Sequence, residues 1–128
     1  MLENNKKILI VEDESAMLAA LDKKFSSCGF NVTTAENGEE GLKLAMKTKP
    51  HLVILDIIMP KMNGLEVVEK IREDERWGSG VPIIMLTNLS DAEQVAEAAR
   101  FNVFDFLVKT DWRLDDIVDL VRKKLLLS

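Results

Sequence analysis

Leu52-Val53-Ile54-Leu55-Asp56-Ile57-Ile58-Met59-Pro60 is the stretch whose reading decides the fold. Its first four residues are apolar without alternation and include branched side chains. That run is too short for a helix and suits a strand buried on both faces, as in a parallel sheet covered by helices. Similar runs recur at residues 8–11, 83–86 and 106–108, while residues 32–35 are more polar and read as an edge strand. Between them the apolar period changes to that of a helix. The stripes are Met17, Leu18, Leu21, Phe25 and Cys28; Leu42, Ala45 and Met46; Leu65, Val68 and Ile71; Ala92, Val95, Ala96 and Ala99; and Ile117, Val118, Val121 and Leu125.

Local punctuation supports these boundaries. Ser90 with Glu93, Asn37 with Glu40 and Asn63 with Glu66 have capping-box spacing. Gly29 suits a left-handed helix end, and Pro50 stops the second helix before His51. Residues 72–80 form the longest loop candidate. Five strand-helix units in unbroken alternation imply right-handed crossovers and a doubly wound α/β sheet with helices on both faces.

Composition sets the outer bounds. A chain of 128 residues has room for one domain, residues 1–128, and can bury about two-thirds of its unfolded surface. Apolar residues at 47% and charged residues at 30% exclude a disordered or collagen-like chain. Seventeen basic against 22 acidic side chains give a net charge of −5, so the chain has no general attraction to nucleic acid or an anionic membrane. A single cysteine, Cys28, excludes an intrachain disulfide and a multi-cysteine metal site and fits a reducing compartment. Lys6 and Lys7 precede only four apolar residues before Glu12, too few for a signal peptide. The expectation is a cytoplasmic, soluble single domain with no output domain.

In doubly wound sheets ligands bind at the carboxyl ends of the strands. There the sequence puts Glu12 and Asp13 after the first strand, Asp56 after the third, Thr87 and Asn88 after the fourth and Lys109 after the fifth. One polar residue at a strand end is usually a solvated boundary or a cap. Three acids, a hydroxyl and an ammonium together are not, because the acids repel unless a cation sits among them. Hard oxygen donors in that number fit Mg²⁺.

These residues, with Met59, Pro60, Met62, Asn63 and Gly64 behind Asp56, resemble the response-regulator receiver domains of two-component signalling over nearly the whole chain. The likeness extends in length to the stand-alone chemotaxis regulator. It implies a flavodoxin-like five-stranded parallel sheet of order 2-1-3-4-5 with five helices. It further implies that Asp56 is the nucleophile taking a phosphoryl group from a histidine kinase or a small acyl phosphate. Mg²⁺ would be held by Asp13, Asp56, the Ile58 carbonyl and, through water, Glu12. Thr87, the Asn88 backbone N–H and Lys109 would bind the phosphoryl oxygens. Thr87 would then move inward with Phe106 following, and the fourth helix, fifth strand and fifth helix would form the output face. Implied partners are a histidine kinase or phosphotransfer protein and a downstream protein target, without direct nucleic-acid or membrane contact; a phosphorylation-dependent homodimer is left open. Such a chain is not an enzyme, although it promotes its own phosphorylation and dephosphorylation.

Two departures from the family pattern stand out. Lys109 is followed by Thr110 where the family has a proline in a cis bond, and a cis bond before a non-proline residue costs about 3 kcal/mol. A trans bond is expected, with Lys109 still reaching Asp56. Ile58 and Leu89 are apolar where the family is often polar, which should hinder an attacking water.

Other classes fit less well. A flavodoxin-like cofactor binder would need a Gly, Ser and Thr loop where Glu12 and Asp13 stand. A haloacid-dehalogenase-type phosphatase would place its second acid at Ile58, which cannot act as acid or base. A receiver-like interaction module that works without phosphorylation is the serious alternative. Cys28, Trp77, Met59 and Met62 read as packing residues and His51 as a loop residue, while Trp112 is a candidate partner contact.

Overall fold

A computed structural model describes residues 6–87, 92–109 and 113–125. The elements are β1 (Lys7–Val11), α1 (Ser15–Ser27), β2 (Asn31–Ala35), α2 (Gly38–Thr48), β3 (Leu52–Asp56), α3 (Gly64–Arg72), β4 (Ile83–Thr87), α4 (Ala92–Ala98), a 3₁₀ turn (Ala99–Phe101), β5 (Asp105–Val108) and α5 (Leu114–Lys124). The five strands are parallel in the order β2-β1-β3-β4-β5, with Val11 beside Leu55 and Asp56 beside Leu86. The doubly wound sheet expected from the alternation of apolar runs is therefore the fold.

Strand periodicity sorts the core into two layers. Leu9, Val11, Val53, Leu55, Ile83 and Met85 face α2, α3 and α4, whereas Ile8, Ile10, Leu52, Ile54, Ile84 and Leu86 face α1 and α5. All residues of β3 and β4 are buried, and β2 is a partly exposed edge; residues 106–108, expected to be buried on both faces, are also partly exposed, because β5 has a neighbouring strand on one side only. Asn37 and Asn63 accept hydrogen bonds from the Glu40 and Glu66 N–H groups as N-caps, and Gly29 has φ 97° after α1.

Two helical faces differ from the sequence expectation. In α2 the buried ridge is Gly38, Gly41 and Ala45, while Met46 is exposed. The glycines bring α2 so close that a Cβ at Gly38 would strike the Met62 carbonyl and one at Gly41 the Val11 side chain. In the α4 region Ala92, Ala96 and Ala99 are exposed, and Val95, Ala98 and Phe101 pack inward. Val95 and Ala98 share a face of α4, and the 3₁₀ turn Ala99–Phe101 carries the spacing of three on to Phe101.

The far end of the sheet is tied by Arg72. Its guanidinium donates to the Phe101, Gly78 and Val81 carbonyls at 2.7–2.8 Å, joining α3, the loop after it and the 3₁₀ turn. Asp74 Oδ1 accepts from the N–H groups of Arg76, Trp77 and Gly78, which folds that loop into an ordered turn.

Candidate functional site

The carboxyl ends of β1, β3, β4 and β5 meet at one edge. The final residues of β3 and β4, Asp56 and Thr87, are 3% and 2% exposed, and Glu12, next after β1, is fully buried; Asp13 faces solvent. Lys109 directly follows β5, where its N–H donates to the Thr87 carbonyl and its stem is covered. Its Nζ donates to Asp56 Oδ2 at 2.9 Å and lies 3.1 Å from Glu12 Oε1 and 3.4 Å from Glu14 Oε1. Thr87 Oγ1 donates to the Leu107 carbonyl at 3.5 Å.

Behind Asp56 the chain turns through Ile57 to Asn63 into α3. Ile57 and Met59 are buried and anchor the loop, whereas Ile58 is 51% exposed beside the carboxylate in sequence. Lys61 takes the left-handed region at φ 70°, and the Gly64 N–H closes the turn on the Ile57 carbonyl at 2.6 Å.

The electrostatics follow from burial. Removal from water pushes the Asp56 carboxyl up to about 7, because desolvation and the neighbouring Glu12 together outweigh the Lys109 ammonium. For Lys109 burial works against the charged form, yet Asp56 and Glu12 hold its proton more tightly than usual.

A divalent cation suits this donor set. One oxygen each from Glu12, Asp13 and Asp56 lie within 4.8 Å of one another. Glu12 Oε1 is buried and, although Lys109 Nζ is 3.1 Å away, accepts no aligned hydrogen bond. Hard oxygens crowded together with one left short of a partner are what Mg²⁺ would complete.

Of the residues singled out from sequence, Glu12, Asp13, Asp56, Thr87 and Lys109 come together here. Phe106 is half-buried against the core layer that holds Met85. Asn88, Leu89, Trp112 and the Lys109–Thr110 bond lie outside the described residues. His51 Nδ1 accepts from the Lys7 N–H, Trp77 Nε1 donates to the Pro50 carbonyl, and Cys28 is half-buried at the end of α1. Glu14 was not anticipated; the run Glu12-Asp13-Glu14 was its only sequence signal. A cleft of about 380 Å³ lies at the amino ends of β4 and β5, lined by Arg72, Pro82, Phe104 and Lys124, away from this edge.

Comparison with known proteins agrees with this edge. The family described as "Response regulator receiver domain" matches residues 8–122. The chain is 43% identical over 108 residues to "Probable transcriptional regulator ycf27" of Guillardia theta, covering 84% of this chain and 41% of that protein. It is 35% identical over 105 residues to "Alkaline phosphatase synthesis transcriptional regulatory protein PhoP" of Bacillus subtilis, covering 82% and 42%. It thus spans about two-fifths of the length of these curated relatives. Among solved structures it superposes on chemotaxis protein CheY4 of Vibrio cholerae with a TM-score of 0.83 at 27% identity, covering 92% of this chain and 97% of that one. A CheY-like receiver domain protein of Methanospirillum hungatei gives 0.86 at 27% identity, with 94% and 93% covered. Among the described residues no helix is long and apolar enough to cross a membrane. With strand order, matched span and relatives in agreement, the chain belongs to the response-regulator receiver domain family of two-component signalling.

Proposed function

We propose that this chain is a phosphoacceptor in which the Asp56 carboxylate attacks the phosphorus of a kinase phosphohistidine or of a small acyl phosphate. The observation that carries this is the pairing of Asp56, 3% exposed, with Lys109 Nζ at 2.9 Å within the acidic cluster. A lone buried carboxylate would be inert, whereas one beside a fixed ammonium has a partner for the oxygen that arrives with the phosphoryl group.

Asp13, Asp56, the Ile58 carbonyl and, through water, Glu12 would hold Mg²⁺, which supplies charge neutralisation for the acids and the transferring oxygens. Lys109, the Thr87 hydroxyl and the Asn88 N–H bind the phosphoryl oxygens. Aspartyl phosphate carries about one more negative charge than the carboxylate it replaces. Thr87, whose hydroxyl makes a long contact to Leu107, and Lys109 then close on it, and Phe106 fills the space vacated by Thr87. The change is read on the face of α4, β5 and α5 by a downstream protein, or by a second copy of this chain. The acidic balance of the chain supports a protein partner over direct contact with nucleic acid or membrane, and its single cysteine supports a reducing, cytoplasmic setting.

Incubation with Mg²⁺ and acetyl phosphate, followed by intact mass, tests the assignment. The protein gains one phosphoryl mass and Asp56→Asn gains none. Phosphorylation of the Asn variant would move the nucleophile elsewhere.

A further inference from the structure

Glu14 occupies a position whose usual duty it does not perform. It is the N-cap residue of α1, with φ −82° and ψ 109°, where a short polar side chain normally accepts from the first turn. The Glu14 carboxylate makes no such bond. It is 61% exposed and instead reaches Lys109 Nζ at 3.4 Å, 95 residues along the chain. Its own N–H donates to Glu12 Oε2 at 3.1 Å, which fixes the backbone beside the buried acid.

A solvent-facing ion pair of this kind adds little stability. It does place a negative charge at the mouth of the acidic edge, in contact with the ammonium that would receive a phosphoryl oxygen. An incoming small phosphodonor must approach that charge and compete with it for Lys109. A protein donor can offset the repulsion with contacts made elsewhere on its surface, and a small anion cannot.

We propose that Glu14 is a positioning residue that selects among phosphodonors by charge, engaging Lys109 at rest and disfavouring small dianionic donors. The inference rests on Asp56 being the phosphoacceptor. With acetyl phosphate, a dianion, the bond from Asp56 Oδ to phosphorus forms as the phosphorus–oxygen bond to the acetyl group breaks, and acetate leaves with the electron pair. With phosphoramidate, a monoanion already protonated on nitrogen, the phosphorus–nitrogen bond breaks and neutral ammonia leaves. The two donors thus deliver the same group with different net charge.

The test is the initial rate of phosphorylation by each donor in Mg²⁺, followed by intact mass at low and high ionic strength, for the parent, Glu14→Gln, Glu14→Asp and Asp56→Asn. Glu14→Gln should accelerate the acetyl phosphate reaction about three- to tenfold at low salt, with most of the gain lost at high salt, where exposed charges are screened. The phosphoramidate rate should change less than about twofold, and Glu14→Asp, which keeps the charge, should stay near the parent with both donors. Equal acetyl phosphate rates for the parent and Glu14→Gln at low salt would overturn the proposal, as would equal acceleration with both donors at every salt concentration. A phosphorylated Asp56→Asn, or a parent that accepts nothing from either donor, would instead remove the phosphoacceptor assignment and the selectivity with it.

Discussion

Gly64 lies against the backbone of Asp56 so closely that a Cβ would overlap the Asp56 carbonyl oxygen and crowd the Ile57 Cα. The first residue of α3 is thereby the surface on which the Asp56 backbone rests. The obstacle is backbone rather than a flexible side-chain end, so it cannot step aside cheaply.

Gly64→Ala is therefore expected to destabilise the protein by about 2–3 kcal/mol, the cost of forcing an extra group into a packed site. It should also slow phosphorylation, because the backbone that shifts carries Asp56. Gly80, which has nothing within 4 Å of its would-be Cβ, is the control, and Gly80→Ala should leave both denaturant midpoint and phosphorylation rate nearly unchanged.

The buried Asp56 gives the metal-free protein a definite pH response. Its carboxyl is raised from 3.8 to about 7, chiefly by desolvation, so the folded state binds this proton more tightly than the unfolded chain does. Its contribution is fully present below the unfolded value and is lost as pH rises through about 7, the reverse of a salt-bridged carboxylate with a depressed pKa. Without Mg²⁺, melting temperatures measured between pH 5 and pH 8, a window of about three units, should therefore fall more steeply in the parent than in Asp56→Asn. Parallel profiles would show that Asp56 does not hold the proton.

Metal should act on the same charges. Millimolar Mg²⁺ is expected to raise the melting temperature, and at a tenfold excess over its Kd the linkage is worth about 1.4 kcal/mol, or roughly 5 °C for a domain of this size. Asp13→Asn should stabilise the metal-free protein by removing one repelling charge and flatten the Mg²⁺ response. Thermal melts with and without the metal, on both proteins, check the two halves separately.

Ile58 stands half-exposed directly after the Asp56–Ile57 step and offers no hydrogen bond to orient a water in line with the phosphoryl group. The aspartyl phosphate should accordingly be long-lived. Replacing Ile58 by Asn and Leu89 by Glu is expected to speed phosphate loss at least several-fold, about 1 kcal/mol in barrier, as measured after removal of the phosphodonor. Unchanged decay would assign the lifetime to other groups.

The elements legible in the sequence were those set by strong one-dimensional patterns. Strands β1, β3 and β4 were uninterrupted apolar runs, and the residues closing them on one edge named Glu12, Asp56 and Thr87 directly. What stayed hidden depended on three-dimensional closeness. The buried ridge of α2 begins with two glycines, which no apolar stripe reveals, and the small alanines of α4 do not mark which of them faces inward. Glu14 reads in sequence as one more surface acid, and only the position of Lys109 gives it a partner. Arg72 likewise gave no sign that three carbonyls would converge on it.

The Lys109 ammonium meets Asp56 across 53 residues and Glu12 across 97. Contacts of such separation form only after long loops have been closed, so they come late in a folding chain and depend on everything that precedes them. A chain still emerging during synthesis can have β1 and β3 paired, with Asp56 already at the sheet edge, yet it lacks its ammonium until β5 has docked. On the proposed phosphoacceptor role, competence to accept phosphate would then arrive only once β5 is in place.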